Sequence, residues 1–218
     1  MYRIRTKRKR MAALALLPLA ALTASNAVAV TTTPATATTA TASGVELKLG
    51  KRDTLAGHKV PVKGIVAPGG TRTVEIDVNG KKEKDLKAGS DGTFHGKLAT
   101  DSPGVYKVQA IVKQDGAVPV ESHTRSLNVY HAVEASYYGP GLYGNGVACG
   151  GTLTPSKLGV ANKTLPCGTE VTLHHGNKTV TVPVIDRGPY SGNRVYDLTT
   201  ATKNRLGYAG IGIIWATK

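Results

Sequence analysis

Two aspartates near the end of the 218-residue chain, Asp186 and Asp197, have the surroundings of groups that could share acid–base chemistry. They lie in the stretch VIDRGPYSGNRVYDL. Val180, Val182 and Val184 share one parity that would face a core, and Asp186 continues it, so we expect partial burial to raise its pKa. Asp197 precedes a short predicted helix, whose dipole should keep this carboxylate ionised. Two carboxylates in such different surroundings can act as acid and charge stabiliser in cleaving a glycosidic bond.

The turn that follows Asp186 leaves a structural alternative open. The residues RGP end the strand and place the aspartate at a strand end, where functional sites are commonly built. Asp186 could instead pair with Arg187 or Arg194 while Asp197 caps the helix, because structural ion pairs also occupy such turns. The residues alone do not decide between the two interpretations.

The elements that must position these aspartates lie in residues 131–218. The segments VEASYY, TEVTLHH, KTVTVPVI and IGIIWAT indicate strands, and the dipeptide Gly176-Asn177 indicates a hairpin turn. A short helix is predicted from Thr200 to Leu206, capped by Thr199 or Thr200 and closed by Gly207. Strands with one small helix predict a compact β-barrel.

Residues 45–130 predict a separate domain, an Ig-like antiparallel β-sandwich. Short segments rich in Val, Ile, Thr and Tyr alternate with turn signals such as Asn79-Gly80, Asp91-Gly92 and Pro103-Gly104. No constellation of catalytic type occurs in this region. The Lys-rich run KKEKDLK, residues 81–87, could bind anionic polymer, but a solvated edge strand is the favoured interpretation.

The start of the chain has the pattern of a secretory leader, residues 1–29. Six Lys/Arg precede a short apolar run and a small-residue cleavage motif, which favours export over retention as a membrane anchor. Residues 30–44, rich in Thr and Ala, predict a flexible linker. Removing the leader leaves 22 Lys/Arg against 14 Asp/Glu, a net charge of +8. A basic exported monomer without a nucleic-acid motif suits an anionic surface such as a wall polymer or lipid headgroups.

Cysteine and histidine placement argues for a disulfide and against a metal site. Cys149 and Cys167 are the only cysteines, and export exposes them to oxidising conditions, so we expect a bridge that contributes about 3 kcal/mol. A metal pair or a nucleophile would need further ligands or a base. Adjacent His174 and His175 point to opposite sides of a strand and cannot grip one metal. No cofactor is expected.

Several motifs then match a known family in order. The segments ASYYG, ANKTLPCGTEV, VIDRGPY, YDLTTATKNRLG and GIGIIWA resemble the six-stranded double-psi β-barrel of the rare lipoprotein A (RlpA) family of peptidoglycan lytic transglycosylases. The segments ACGG and LPCGT are also similar to expansins and their barwin relatives, which loosen polysaccharide walls without clear hydrolysis. The resemblance implies a mainly all-β protein that is secreted or wall-associated and acts on peptidoglycan or another wall polysaccharide.

The resemblance also implies roles for particular residues. Asp186 matches the proposed catalytic acid of the family's N-D-R-G-P motif, and Asp197 matches the aspartate of its D-L-S motif. Both are therefore candidate catalytic residues. A second group flanks these motifs and is expected to bind sugar by ring stacking or hydrogen bonds. Its members are Tyr137, Tyr138, Asn162, Arg187 and Tyr190.

Two departures from the family pattern keep a second function open. Asn162 stands where the family has a histidine, and Gly151 stands where it has a glutamate. An amide can orient a sugar hydroxyl but cannot shuttle a proton near neutral pH. The alternatives are therefore a lytic transglycosylase, an expansin-like module that loosens the wall, and a disulfide-locked extracellular binding domain.

Overall fold

A computed structural model describes residues 44–69, 71–113 and 116–218, whose regular elements are fourteen strands and one short helix. The predicted leader and all of the predicted linker except Gly44 lie outside these residues. Within the described ranges, no helix is long and apolar enough to cross a membrane. The elements in chain order are β1 Val45–Leu49, β2 Asp53–Leu55, β3 His58–Val66, β4 Arg72–Val78, β5 Lys81–Ala88, β6 Thr93–Thr100, β7 Gly104–Val112, β8 Val120–Glu121, β9 Arg125–Tyr138, β10 Val160–Ala161, β11 Glu170–His175, β12 Lys178–Asp186, β13 Tyr196–Thr199, α1 Thr200–Leu206 and β14 Gly212–Ala216.

The first half of the described chain forms the predicted sandwich. Strands β1, β3 and β6 make one antiparallel sheet, and β5, β4, β7 and β9 make the facing sheet, with β2 and β8 attached to β9 and β7. Alternation drives this packing because Val60 and Val62 are buried while Lys59 and Lys63 are exposed. Phe94 and Leu98 from β6 fill the same core between the sheets.

The second half forms a closed six-stranded barrel, which confirms the predicted fold. The strands follow the order β13-β10-β12-β11-β14-β9, and a further pairing between β13 and β9 closes the circle. The pairings β10–β12 and β9–β13 are parallel, whereas the others are antiparallel. Closure pairs the edge strands with each other, so their backbone groups are satisfied within the barrel. Val180, Val182 and Val184 lie in its core, as their spacing predicts.

Strand β9 belongs to both halves. Its first part pairs with β2 and β7 in the sandwich, and its second part pairs with β14 and β13 in the barrel. Tyr130, fully buried at the crossing, donates a hydrogen bond to Asp53 Oδ1 at 2.6 Å, and its ring lies 5.5 Å from His174 and 6.0 Å from Trp215. The predicted domain limits, 45–130 and 131–218, stay a prediction, since one continuous strand crosses them.

Helix α1 begins and ends as its capping residues predict. Thr199 Oγ1 accepts a hydrogen bond from the Thr202 backbone N–H at 3.2 Å, and Gly207 adopts a left-handed φ of 67° at the C-cap. The buried Thr202 hydroxyl is bonded to both the N–H and the C=O of Gly159, at 2.9 and 3.0 Å. The helix therefore fixes the entry to β10 as well as the end of β13.

The predicted disulfide between Cys149 and Cys167 is present, with Cα atoms 5.6 Å apart. Cys149 also donates its backbone N–H to Ile185 O at 3.1 Å, one residue before Asp186. The bridge therefore fastens the long segment after β9 and the loop before β11 across the end of β12.

We expect Cys149→Ser to lower the free energy of unfolding by about 3 kcal/mol, because opening a loop of this size releases chain entropy in the unfolded state. In a chain of this size that loss corresponds to a melting temperature lower by roughly 6–12 °C. Calorimetry of wild type and variant, with and without reductant, measures it. Reductant should shift the wild type to the variant's value and leave the variant unchanged. Two reactive thiols in the unreduced wild type would show that the bridge does not form.

Candidate active site at the end of the barrel

Barrel closure brings Asp186 and Asp197 to the same short strand. Ala161 on β10 pairs with Asp186 on β12 and with Asp197 on β13. The two aspartates are thus one strand removed from each other, which places their Cα atoms roughly 10 Å apart at ordinary strand spacing. The pairing is irregular beside Ala161, where the residue opposite Ile185 is missing from β10. Such bulges re-aim side chains and are frequent next to active sites.

The backbone fixes the orientation of the Asp186 carboxylate. Its Oδ1 accepts hydrogen bonds from the backbone N–H of Ala148 at 2.9 Å and of Arg187 at 2.8 Å. Its own carbonyl accepts from the Asn162 N–H at 3.1 Å. One carboxylate oxygen is thus anchored by two backbone N–H groups, and the Tyr138 phenol lies close to the same carboxylate.

Tyr138 places a phenol beside both carboxylates. Its hydroxyl is buried and has no hydrogen-bond partner in the described part of the chain. Burial raises the pKa of this phenol, and Asp186, through its charge and a contact too poorly aligned to count as a hydrogen bond, raises it further, as does the charge of Asp197. The side chain therefore remains a protonated donor, and it packs with Val147, Leu153 and Ile185 under the loop that follows β9.

Asp197 lies in surroundings that change its titration. Burial raises its pKa, with a smaller contribution from the charge of Asp186, while the Ser136 hydroxyl and the Arg194 guanidinium oppose the rise. Its Oδ1 is buried and unpartnered among the described residues. The helix dipole therefore does not control the pKa of Asp197, and its charge state at neutral pH stays a prediction. Helix α1 has only seven residues, and desolvation of the carboxylate outweighs its field.

Asn162 and Arg187 hold the loop between β10 and β11. Asn162 is buried, its Oδ1 accepts from the N–H groups of Thr164 and Leu165 at 3.0 and 2.8 Å, and its Nδ2 donates to Val195 O at 3.1 Å. Arg187 Nη1 donates to the carbonyls of Asn162 and Leu165 at 3.2 and 3.0 Å. These contacts give both side chains a structural task, and their predicted contact with sugar stays a prediction.

Exposed aromatic rings lie on the segments around the two aspartates. Tyr137 is 40% exposed and carries Lys203 Nζ 4.7 Å from its ring centre, and Tyr190, next to the turn after Asp186, is 82% exposed. Tyr143 and Leu142, in the loop after β9, are also exposed. Rings that remain accessible beside a carboxylate pair are suited to stacking on sugars.

Several contributors to the site carry no sequence signal. The Ala148 N–H that anchors Asp186 is a backbone group, and Ser136, Arg194 and Lys203 reach the site only through the closure of the barrel. Gly151, where the family has a glutamate, has a φ of +82°, a conformation that glycine adopts more easily than other residues.

Comparison with known proteins finds matches to the barrel. Residues 130–216 match the family model described as lytic transglycolase. The endolytic peptidoglycan transglycosylase RlpA of Campylobacter jejuni is 42% identical over 74 residues, which cover 33% of this chain and 27% of that protein. RlpA of Rickettsia bellii is 32% identical over 130 residues, covering 55% of this chain and 56% of that protein.

Among solved structures, the Streptomyces papain inhibitor matches with a TM-score of 0.33 and 27% sequence identity over 41% of this chain and 94% of that one. The sequence matches confirm the resemblance predicted from the motifs. The chain spans about half, or less, of the length of the two curated relatives, so the similarity describes a domain.

Asp197→Asn should make the protein more stable at neutral pH and leave its stability at low pH nearly unchanged. Because the folded-state pKa is raised, the folded protein holds this proton over a pH range in which the unfolded chain has lost it. Stability therefore falls as pH rises through that range. The uncharged amide removes this fall. Melting temperatures measured from pH 3 to pH 8 test it, and the same difference at every pH would contradict it.

Proposed function

We propose that this chain, whose residues 130–216 form an RlpA-like lytic transglycosylase barrel, cleaves the glycan strands of peptidoglycan without water. The observation that carries the proposal is the arrangement of three groups at one end of the barrel. Two backbone N–H groups anchor Oδ1 of Asp186, and the Tyr138 hydroxyl and Asp197 Oδ1 are buried without hydrogen-bond partners in the described residues. A bound glycan could supply those partners through its hydroxyl and glycosidic oxygens.

The reaction needs one proton to be donated to the leaving glycosidic oxygen and one to be removed from the attacking hydroxyl. Asp186, protonated on Oδ2, donates its proton to the glycosidic oxygen that follows a muramic acid residue, and the bond from that oxygen to the anomeric carbon breaks. The 6-hydroxyl oxygen of the same muramic acid attacks the anomeric carbon and closes a 1,6-anhydro ring. Its proton passes to the Asp186 carboxylate, which returns to its starting state. One carboxylate thus serves as acid and then as base.

Asp197 and Tyr138 would act on the charge that develops in this step. Positive charge builds on the anomeric carbon and ring oxygen, and an ionised Asp197 close by lowers the energy of that state. The raised pKa of Asp197 shifts the onset of this contribution to higher pH than for an ordinary aspartate. Tyr138, which keeps its proton, can donate a hydrogen bond to the carboxylate or to a sugar oxygen.

The groups around the pair would bind and orient the strand. Tyr137 and Tyr190 present exposed rings for stacking, and Lys203 beside Tyr137 supplies a positive charge. Asn162 and Arg187 are assigned a positioning role, since their polar atoms hold the loop that carries Cys167. An exported, wall-associated monomer is the setting that the predicted leader and the basic charge support.

An expansin-like function is the second candidate, and one observation favours it. The family's histidine and glutamate are replaced by a buried, fully engaged Asn162 and by Gly151 in a positive-φ turn. The site therefore lacks two polar groups that could assist proton transfer. A barrel that binds glycan and loosens its packing without breaking bonds would need only the aromatic rings and Asp197.

Asp186→Asn should abolish the release of anhydro-muropeptides while leaving binding to the wall intact. The amide keeps the shape and an acceptor for the Ala148 N–H but has no proton to transfer, so we expect a loss of about 100-fold or more. Mass spectrometry of purified glycan strands after incubation measures the product. Asp85→Asn, an exposed aspartate in the sandwich, is the matched control and should keep wild-type activity.

The outcomes separate the two candidates. The expansin-like function is supported if the wild type releases no anhydro product but weakens wall material in a mechanical creep assay. Asp197→Asn should then lose this weakening. A wild type that does neither refutes both and leaves the aspartates with a structural role.

Binding to insoluble peptidoglycan should keep a salt-resistant part that depends on Tyr190. Salt screens the attraction of the basic chain but has little effect on ring stacking. Tyr190→Ala should therefore reduce binding at high salt more than at low salt, as measured by cosedimentation. Ile211→Ala, which removes another exposed apolar side chain from the barrel, is the control and should change neither value. Complete loss of wild-type binding at high salt would argue against a sugar-binding groove.

A further inference from the structure

The outer face of the three-stranded sheet β1-β3-β6 carries an excess of positive charge that the barrel's proposed chemistry does not use. Every second residue of these strands points to solvent, away from the core of the sandwich. We refer to the cationic and imidazole side chains exposed there as the basic face. Its members are Lys48, Lys59, Lys63, His95 and Lys97.

Strand register brings part of the basic face into a line. Lys48 is directly opposite Lys63, and Lys63 is directly opposite His95, so the three side chains cross the sheet at steps of about 4.8 Å between strands. Like charges placed directly opposite each other destabilise a sheet. Lys48 and Lys63 therefore repel each other in the free protein, a cost that Glu46 offsets in part and that a bound anion would offset further.

The row lies in a depression that continues past the sheet edge. Lys48, Lys63 and His95 line an open cavity of about 440 Å³ together with the apolar side chain of Ile65. Lys48 also borders a neighbouring cavity of about 230 Å³, which Arg52 and Arg125 line. Five basic side chains thus follow one path across the sandwich. Glu46, paired with Lys48 at 3.0 Å, is the one acidic residue among those that line the two cavities.

The opposite sheet of the same sandwich shows that this imbalance is not general. There Glu75 lies 2.8 Å from Lys113 and 4.0 Å from Lys82, and Lys82 also pairs with Asp85 at 2.7 Å. On the basic face, within the described residues, Lys59, Lys63 and Lys97 form no ion pair. The Lys-rich strand β5 that the sequence singles out is thus partly neutralised, whereas the uncompensated charge lies on another sheet.

We propose that the basic face is a binding site for a linear phosphodiester polymer such as polyglycerol phosphate. Lysine and arginine bind phosphate through charge-assisted hydrogen bonds, and a polymer with one anion per repeat can contact a row of cations successively. Among the described residues that line the two cavities, none offers an exposed Phe, Tyr or Trp ring, so the ligand is recognised by its charge and not by stacking on sugar rings. The proposal does not depend on turnover at Asp186.

The test measures binding of fluorescently labelled polyglycerol phosphate to the full chain by anisotropy over a series of salt concentrations. Lys48→Gln/Lys63→Gln removes two charges from the row, and Lys82→Gln/Lys113→Gln removes two from the opposite sheet as a control of equal net charge. We expect the first pair to weaken binding at least tenfold. If each lysine contacts one phosphate, the magnitude of the slope of log K against log salt should fall by about 0.7 per lysine removed, the value for single-stranded nucleic acids. The control pair should match the wild type.

Other results would overturn the proposal. Equal weakening by both pairs would mean that net charge alone attracts the polymer. Two other ligands should be compared, namely peptidoglycan stripped of phosphate polymers and double-stranded DNA. If either binds more tightly than polyglycerol phosphate and depends on Lys48 and Lys63 in the same way, the basic face is a site for that ligand instead. Two controls complete the test. Both double variants should melt at or above the wild-type temperature, which shows that lost binding does not reflect unfolding.

The Asp186→Asn variant should bind the polymer as the wild type does, which separates this site from the barrel's activity.

Discussion

The parallel pairing of β9 with β13 is the contact on which the rest of the barrel depends. It joins the first and last strands of the sheet order, so that Asp197 of β13 lies beside Ser136 of β9 and across β10 from Asp186. It also places Tyr138 next to Thr199 and therefore next to the cap of α1. Without that closure the two aspartates would be residues on a sheet edge, and the phenol between them would be exposed to solvent.

Closure explains how a mostly backbone-built site can hold an unfavourable arrangement. A buried carboxylate with an unpartnered oxygen and a buried phenol without a hydrogen bond are both costly. Strained or unsatisfied groups of this kind cluster where proteins bind ligands, since the ligand completes the missing contacts.

The sequence predicts well what depends on neighbours along the chain. The alternating valines of β12, the caps at Thr199 and Gly207, the sandwich strands and the pairing of two exported cysteines all follow from local pattern or simple chemistry. It predicts poorly what depends on neighbours across the barrel. Residues adjacent to Asp197 suggest control by the helix dipole, whereas desolvation inside the closed barrel raises its pKa against the opposing contributions of Ser136 and Arg194. The structural tasks of Asn162 and Arg187 are likewise invisible until the loop is folded.

Strand β9 has a mechanical consequence, because it is a single run of 14 residues with both halves buried in different sheets. Side chains alternate with a period of two, so inserting or deleting one residue within this strand would turn the inward residues of one half outward. The loops of either half can change length independently, but β9 cannot. The inward and outward positions of the sandwich part and the barrel part of β9 are therefore fixed relative to each other. A one-residue shift along the strand would displace Tyr138 together with the closing contact to β13.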